Sequence, residues 1–180
     1  NSGETFTNYL NRVMDSKIWK TKDISLTDLQ TKGAAENNKW MDTFNDIYYF
    51  SYSAQSTYKS LLTGHHLPNA SMNPLFYTSS IFIGKFTRTE GKNGPKIDSS
   101  WWPNDGIVNT RSSVAPGGHP VVTYNGSNPK MGVWNAYPTA QNWDHADYMG
   151  IEPLNYGTKY DALVFMENMA KNLYSLPQRN

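Results

Sequence analysis

A six-residue run, Ile47-Tyr48-Tyr49-Phe50-Ser51-Tyr52, constrains this chain more than any other stretch. It is short, apolar and aromatic, and so reads as a buried strand of the kind found in parallel sheets, where both faces are covered. Helical periodicity lies on either side of it. Phe6, Tyr9, Leu10, Val13 and Met14 recur at the spacing of one helix face, which predicts a helix over residues 5–16. Ala34, Ala35, Trp40 and Met41 predict a second over 31–42, just beyond Asp28, with a loop over 19–29.

Beyond the strand, Gly64 to Asn69 reads as loop by its Gly, Pro and Asn. Asn73-Pro74 offers an N-cap followed by proline in the first turn, and so a helix over 75–83 that ends at Gly84. Ile81-Phe82-Ile83 also suits a strand, and the pattern leaves both open. Residues 85–100 and 114–129 are polar and rich in Gly and Pro, which predicts surface loops. Met131 to Tyr137 predicts a second strand. Thr158-Lys159-Tyr160-Asp161 matches a capping box, followed by Leu163, Met166, Ala170 and Leu173 on one face of a last helix to about Tyr174. Strands alternating with helices predict an α/β fold in a single unit over residues 1–180. Two strands are few for a doubly wound domain, so part of the sheet is expected to lie outside these residues.

Composition narrows the function classes. Sixteen Lys and Arg against 15 Asp and Glu leave a net charge of +1, with no basic block to attract nucleic acid. Cysteine is absent, which excludes disulfides, thiolate metal sites and a cysteine nucleophile. No apolar run approaches the roughly 18 residues of a membrane helix. The first residues have neither a basic start nor an apolar core, so a signal peptide, had there been one, would already be gone. Six Trp and 12 Tyr favour a packed fold over disorder.

Two loops carry candidate chemistry. Asp105 lies in Asn104-Asp105-Gly106, a turn signature in which Asx side chains commonly bond their own backbone, so it can serve simply to shape the turn. His145 lies in a polar loop beyond the second predicted strand, and a lone histidine is often structural. The order of the two matters: hydrolases with a nucleophile elbow run Ser, then Asp, then His, with the last two in loops at strand ends.

The stretch Trp102-Pro103-Asn104-Asp105-Gly106-Ile107-Val108-Asn109-Thr110 resembles the catalytic-acid segment of thermophilic Bacillus (Geobacillus) lipases, and the related staphylococcal lipases carry a similar turn. Tyr49-Phe50-Ser51-Tyr52, Tyr58 to Gly64, Gly132-Val133-Trp134 and Asp144 to Pro153 resemble further segments of the same family in the same order. Pro103 departs from the residue usual before the Asn.

The resemblance implies the C-terminal part of an α/β-hydrolase fold, from a secreted, extracellular triacylglycerol lipase. It implies Asp105 as catalytic acid and His145 as general base. The nucleophile would sit in Gly-x-Ser-x-Gly, which does not occur among the 180 residues. The serine and the oxyanion hole would then come from an N-terminal lipase portion, with lipid or ester as substrate. The resemblance also implies a calcium ion held by the carboxylates of Asp147 and Glu152 and the carbonyls of Ser71 and Pro153. Asp28 resembles an aspartate that binds zinc in the complete lipases, but one carboxylate cannot build a tetrahedral site. His65-His66 reads as exposed loop, since adjacent residues rarely converge on one ion. Two rival readings remain: a calcium-binding fragment without catalysis, and a structural or binding module derived from a lipase.

Overall fold

A computed structural model describes residues 5, 7–8, 11–12, 15–17, 21, 25–28, 30–92, 94–150 and 162–177. Of the helix predicted over 5–16, residues 7–8 and 11–12 are helical, whereas Phe6, Tyr9, Leu10, Val13 and Met14, like the capping box at 158–161, lie outside the described residues.

The centre is a parallel sheet. Strand β1 (Tyr49–Ser51) continues after a two-residue break as β2 (Ala54–Gln55), then β3 (Thr57–Lys59). Strand β3 turns back through β4 (His66–Pro68) as an antiparallel hairpin. Strand β5 (Val121–Thr123) and β6 (Trp134–Ala136) follow, and β7 (Ala140–Gln141) extends β6. In space β6 lies between β1 and β5, parallel to both, and β7 runs parallel beside β2.

The predicted strand over 47–52 is thus β1, and the one over 131–137 is β6. Five strands were not expected: β2, β3, β4, β5 and β7. Strand β4 was expected as loop because Gly64 and Pro68 mark it as one. Pro68 has no N–H, yet it sits at the end of a hairpin where the ladder can spare one. Strand β5 is three residues inside a Gly- and Pro-rich stretch, too short for any periodicity to show.

Besides the helical residues at 7–8 and 11–12, four α-helices are described: α1 (Ser25–Asp28), α2 (Thr31–Asn37), α3 (Tyr77–Ile83) and α4 (Ala162–Tyr174). Helix α1 lies inside the stretch expected as loop. Helix α2 ends earlier than expected: Lys39 and Trp40 donate to Glu36 and Asn37, tightening the chain into a turn. The helical stretch begins as expected, with the Asn73 side chain accepting from the Leu75 N–H and Pro74 in the first turn, but that turn, Pro74–Phe76, is a 3-10 turn that leads into α3. The alternative that Ile81-Phe82-Ile83 forms a strand is thereby decided for helix.

Aromatic rings join α4 to the sheet. Phe165 meets Tyr52, Trp143 and Tyr148 at centroid separations of 5.0, 6.1 and 5.0 Å. Tyr52 stacks on Tyr137 at 4.4 Å, and the Tyr124 hydroxyl donates to Asn172. Trp143 and Tyr148, on either side of His145 in the chain, thus pack on each other and on Phe165 of α4. Much of the remaining apolar surface is uncovered: Leu61, Leu62, Leu75, Phe82 and Leu163 are exposed. The buried set is instead dominated by polar residues, and these converge on the two candidate loops.

Candidate active site

The acid turn is built from two consecutive Asx residues that each bond forward. The Asn104 Oδ1 accepts from the Gly106 N–H at 2.9 Å. The Asp105 Oδ1 accepts from the N–H groups of Ile107 at 3.0 Å and Val108 at 2.7 Å. The chain can fold so tightly because Gly106 adopts φ +101°, where a side chain is strained. A Cβ there would also come within 2.6 Å of the Phe76 Cβ.

These bonds leave the second oxygen of Asp105 directed at the histidine loop. Asp105 is 6% exposed, and its Oδ2 lies 2.9 Å from the His145 Nδ1. A backbone bond from the His145 N–H to the Asp105 carbonyl, also 2.9 Å, fixes the two loops against each other. The imidazole is 40% exposed and presents its other nitrogen away from the carboxylate. The hydrogen bond to Asp105 raises the His145 pKa above the usual 6.5; burial opposes this, and the negative charges of Asp105 and Asp144 add to it. The arrangement can hold one tautomer of a neutral imidazole and stabilise its protonated form.

The histidine loop has its own anchor. Asp144 is fully buried, and its Oδ2 accepts from the Asn73 N–H at 2.7 Å while Oδ1 accepts from Ala146 at 2.8 Å. Asp147, 1% exposed, accepts the Asp144 N–H through Oδ2 at 2.7 Å. Asn69 donates to Asn142 at 2.9 Å. The loop of residues 69–73, which contains Ser71, is thus tied to the loop of residues 142–147. Glu152 and Pro153 lie outside the described residues. Among the described residues no cluster of three His, Asp or Glu side chains is placed to hold a metal. Asp28 is exposed and accepts from the Asn37 side chain at 3.1 Å.

Sequence reasoning overlooked Asn104 and Asp144 as site residues. Both sit in the quoted motifs, but their partners are Ser80 and Asn73, remote in sequence, and no local pattern reveals them. His66 was set aside as exposed loop. It is half-buried on β4, its Nδ1 meets the Thr57 hydroxyl at 3.2 Å, and burial followed by the charge of Lys59 lowers its pKa. His65 packs edge-on against Trp102, with centroids 5.1 Å apart.

The sequence pattern described as "Lipase-like, C-terminal domain" matches residues 1–178. The chain belongs to that family. It is 32% identical to the lipase of Staphylococcus hyicus over 162 residues, covering 89% of this chain and 23% of that protein. It is equally 32% identical to lipase 2 of Staphylococcus aureus over 158 residues, 87% of this chain and 21% of the relative. Among solved structures it is similar to EstA from Clostridium botulinum, with TM-score 0.84 and 38% identity, over 100% of this chain and 41% of that one. Lipase 1 from Pelosinus fermentans gives TM-score 0.76 and 41% identity over 99% of this chain and 46% of its own. The chain therefore spans about a quarter of the curated relatives' length and less than half of the structural ones. Its α/β content is that of a lipase's C-terminal part.

Proposed function

We propose that this chain supplies the acid and the base of a carboxylic-ester hydrolase, a triacylglycerol lipase with the α/β-hydrolase fold. The observation that carries the reading is the 2.9 Å contact between the Asp105 Oδ2 and the His145 Nδ1, with the carboxylate buried and its other oxygen held by two backbone N–H groups. His145 takes the proton of a serine hydroxyl as that oxygen attacks the ester carbonyl, then returns it to the leaving alcohol. Asp105 keeps the imidazole oriented and stabilises it while charged.

The serine belongs to an N-terminal lipase portion. Supporting this are the missing Gly-x-Ser-x-Gly, the share of the relatives that the chain spans, and a parallel sheet whose surroundings leave large apolar side chains exposed. The relatives' activity favours a secreted, extracellular product. Among the described residues no helix is long and apolar enough to cross a membrane.

Calcium is part of the proposal. Buried carboxylate oxygen is the donor chemistry a hard cation takes, and Asp147 offers it two residues after His145. The ion would be held by Asp147 and Glu152, with the carbonyls of Ser71 and Pro153, and would tie the histidine loop to residues 69–73. Zinc carried partly by Asp28 receives no support from its exposed setting against Asn37.

The test is hydrolysis of a p-nitrophenyl ester. The isolated chain turns over nothing above buffer, whereas joining it to the N-terminal lipase portion gives activity that a serine-directed phosphonate abolishes and His145→Ala removes. Turnover by the isolated chain that the phosphonate blocks would overturn the reading.

A further inference from the structure

We propose that Asn104 is a positioning residue that sets where the Asp105 carboxylate meets His145, which rests on the reading of those two residues as acid and base. Asn104 is fully buried and every polar group it owns is engaged. Its Oδ1 accepts from the Gly106 N–H, and its Nδ2 donates to the carbonyls of Trp102 at 2.9 Å and Ser80 at 3.2 Å. Its backbone N–H donates to the Thr57 hydroxyl at 3.2 Å, and its carbonyl accepts from the Ser56 N–H at 2.9 Å. One side chain thus binds the acid turn to α3, while its backbone binds the same turn to the start of β3.

The consequence for Asp105 is geometric. Its carboxylate is aimed by the N–H groups of Ile107 and Val108, and their direction follows from the Gly106 peptide between them. Asn104 holds the Gly106 N–H, and the Ser79 hydroxyl donates to the Gly106 carbonyl. Both grips run to α3, at Ser79 and Ser80, so the acid is referenced to that helix. Asn alone offers this combination at this reach: one acceptor for Gly106 and two donors for two carbonyls. An aspartate would set its negative oxygen against the carbonyls of Trp102 and Ser80. A glutamine is one methylene too long for a site with no exposure.

The experiment uses Asn104→Ala and Asn104→Ser in the full-length lipase, with kcat and KM measured on a soluble ester and the His145 tautomer read by nitrogen NMR. Serine can accept the Gly106 N–H through an analogous turn but cannot reach Ser80 and Trp102. The expected result for Asn104→Ala is a kcat about a hundred-fold lower at a KM within about two-fold of wild type, the signature of misplaced catalytic groups. The proton that Asp105 holds on the His145 Nδ1 is no longer fixed there, and nitrogen NMR of labelled His145 shows the Nε2 tautomer appearing as that bond loosens. Asn104→Ser recovers part of both. If Asn104→Ala does not fold, Asn104→Ser decides by the same two readouts. A wild-type kcat in whichever variant folds overturns the proposal, and so does a lost kcat with the His145 tautomer unmoved, which marks a structural role only. A wild-type kcat in Asp105→Asn instead overturns the acid reading itself, and this proposal with it.

Discussion

Replacing Asp105 by Asn changes one atom and should disable the site through the tautomer of His145. The Asp105 Oδ1 accepts two N–H bonds, from Ile107 and Val108, and only an acceptor fits there. In Asp105→Asn the carboxamide oxygen therefore takes that position, and its NH2 faces the His145 Nδ1. The imidazole answers by accepting at Nδ1, which places its proton on Nε2, where the base must be free. The opposite orientation restores the correct tautomer but sets the NH2 against two backbone donors. Losing those two bonds costs about 2–3 kcal/mol, leaving roughly one molecule in a hundred competent. Those molecules also lack the anion that stabilised the imidazolium, worth about a further 2–3 kcal/mol for a charge-assisted bond. Together these predict a kcat lower by about 10³–10⁴ with KM nearly unchanged. Steady-state ester hydrolysis by the full-length enzyme measures the loss, and nitrogen NMR of labelled His145 reads the tautomer directly. A kcat within tenfold of wild type, or a proton still on Nδ1, would refute the reasoning.

Three further outcomes follow from the same geometry. Because the His145 pKa is raised and the base must be neutral, the acid limb of kcat/KM should lie above 6.5; a limb at or below that value contradicts the Asp105 hydrogen bond as its cause. Saturating calcium at 100 times its dissociation constant should stabilise the protein by about 2.7 kcal/mol, a melting shift on the order of 5–10 °C. Chelator should abolish that shift and Asp147→Ala should lack it, so equal shifts in both proteins would remove Asp147 from the site. Asp144→Ala takes away the acceptor of two N–H bonds in a fully buried position and should cost about 3 kcal/mol, read as a lower urea midpoint. A loss under about 1 kcal/mol would show that water replaces the carboxylate.

The two candidate loops were legible because their chemistry is local. Asn-Asp-Gly announces a turn, and the Asp105 bonds to Ile107 and Val108 run within that turn. The contact with His145 was readable only through order and resemblance, since no spacing rule dictates that residues 40 apart should meet. What escaped was tertiary. Asn104 reads as a turn former, and its reach to Ser80 depends on where α3 packs. Asp144 reads as one more acid in a polar loop, and only the fold delivers the Asn73 N–H to it. Strands β4 and β5 escaped for another reason: Pro68 and the glycines beside them carry a turn signature that pairing with the neighbouring strands β3 and β6 overrides.

The position of β6 also governs when this sheet can exist at all. The middle strand in space is the last of the three in the chain, and the Asn135 side chain donates to the Tyr49 carbonyl, 86 residues earlier. Until residues 134–136 emerge from the ribosome, β1 and β5 have a strand-wide gap between them and, among the described residues, lack the strand that joins them. Closing so long a loop comes before any ladder bond rewards it, so folding is slow and its decisive step comes late in synthesis. That timetable leaves aromatic segments such as Tyr48-Tyr49-Phe50 uncovered meanwhile, so aggregation of the nascent chain competes with every productive fold.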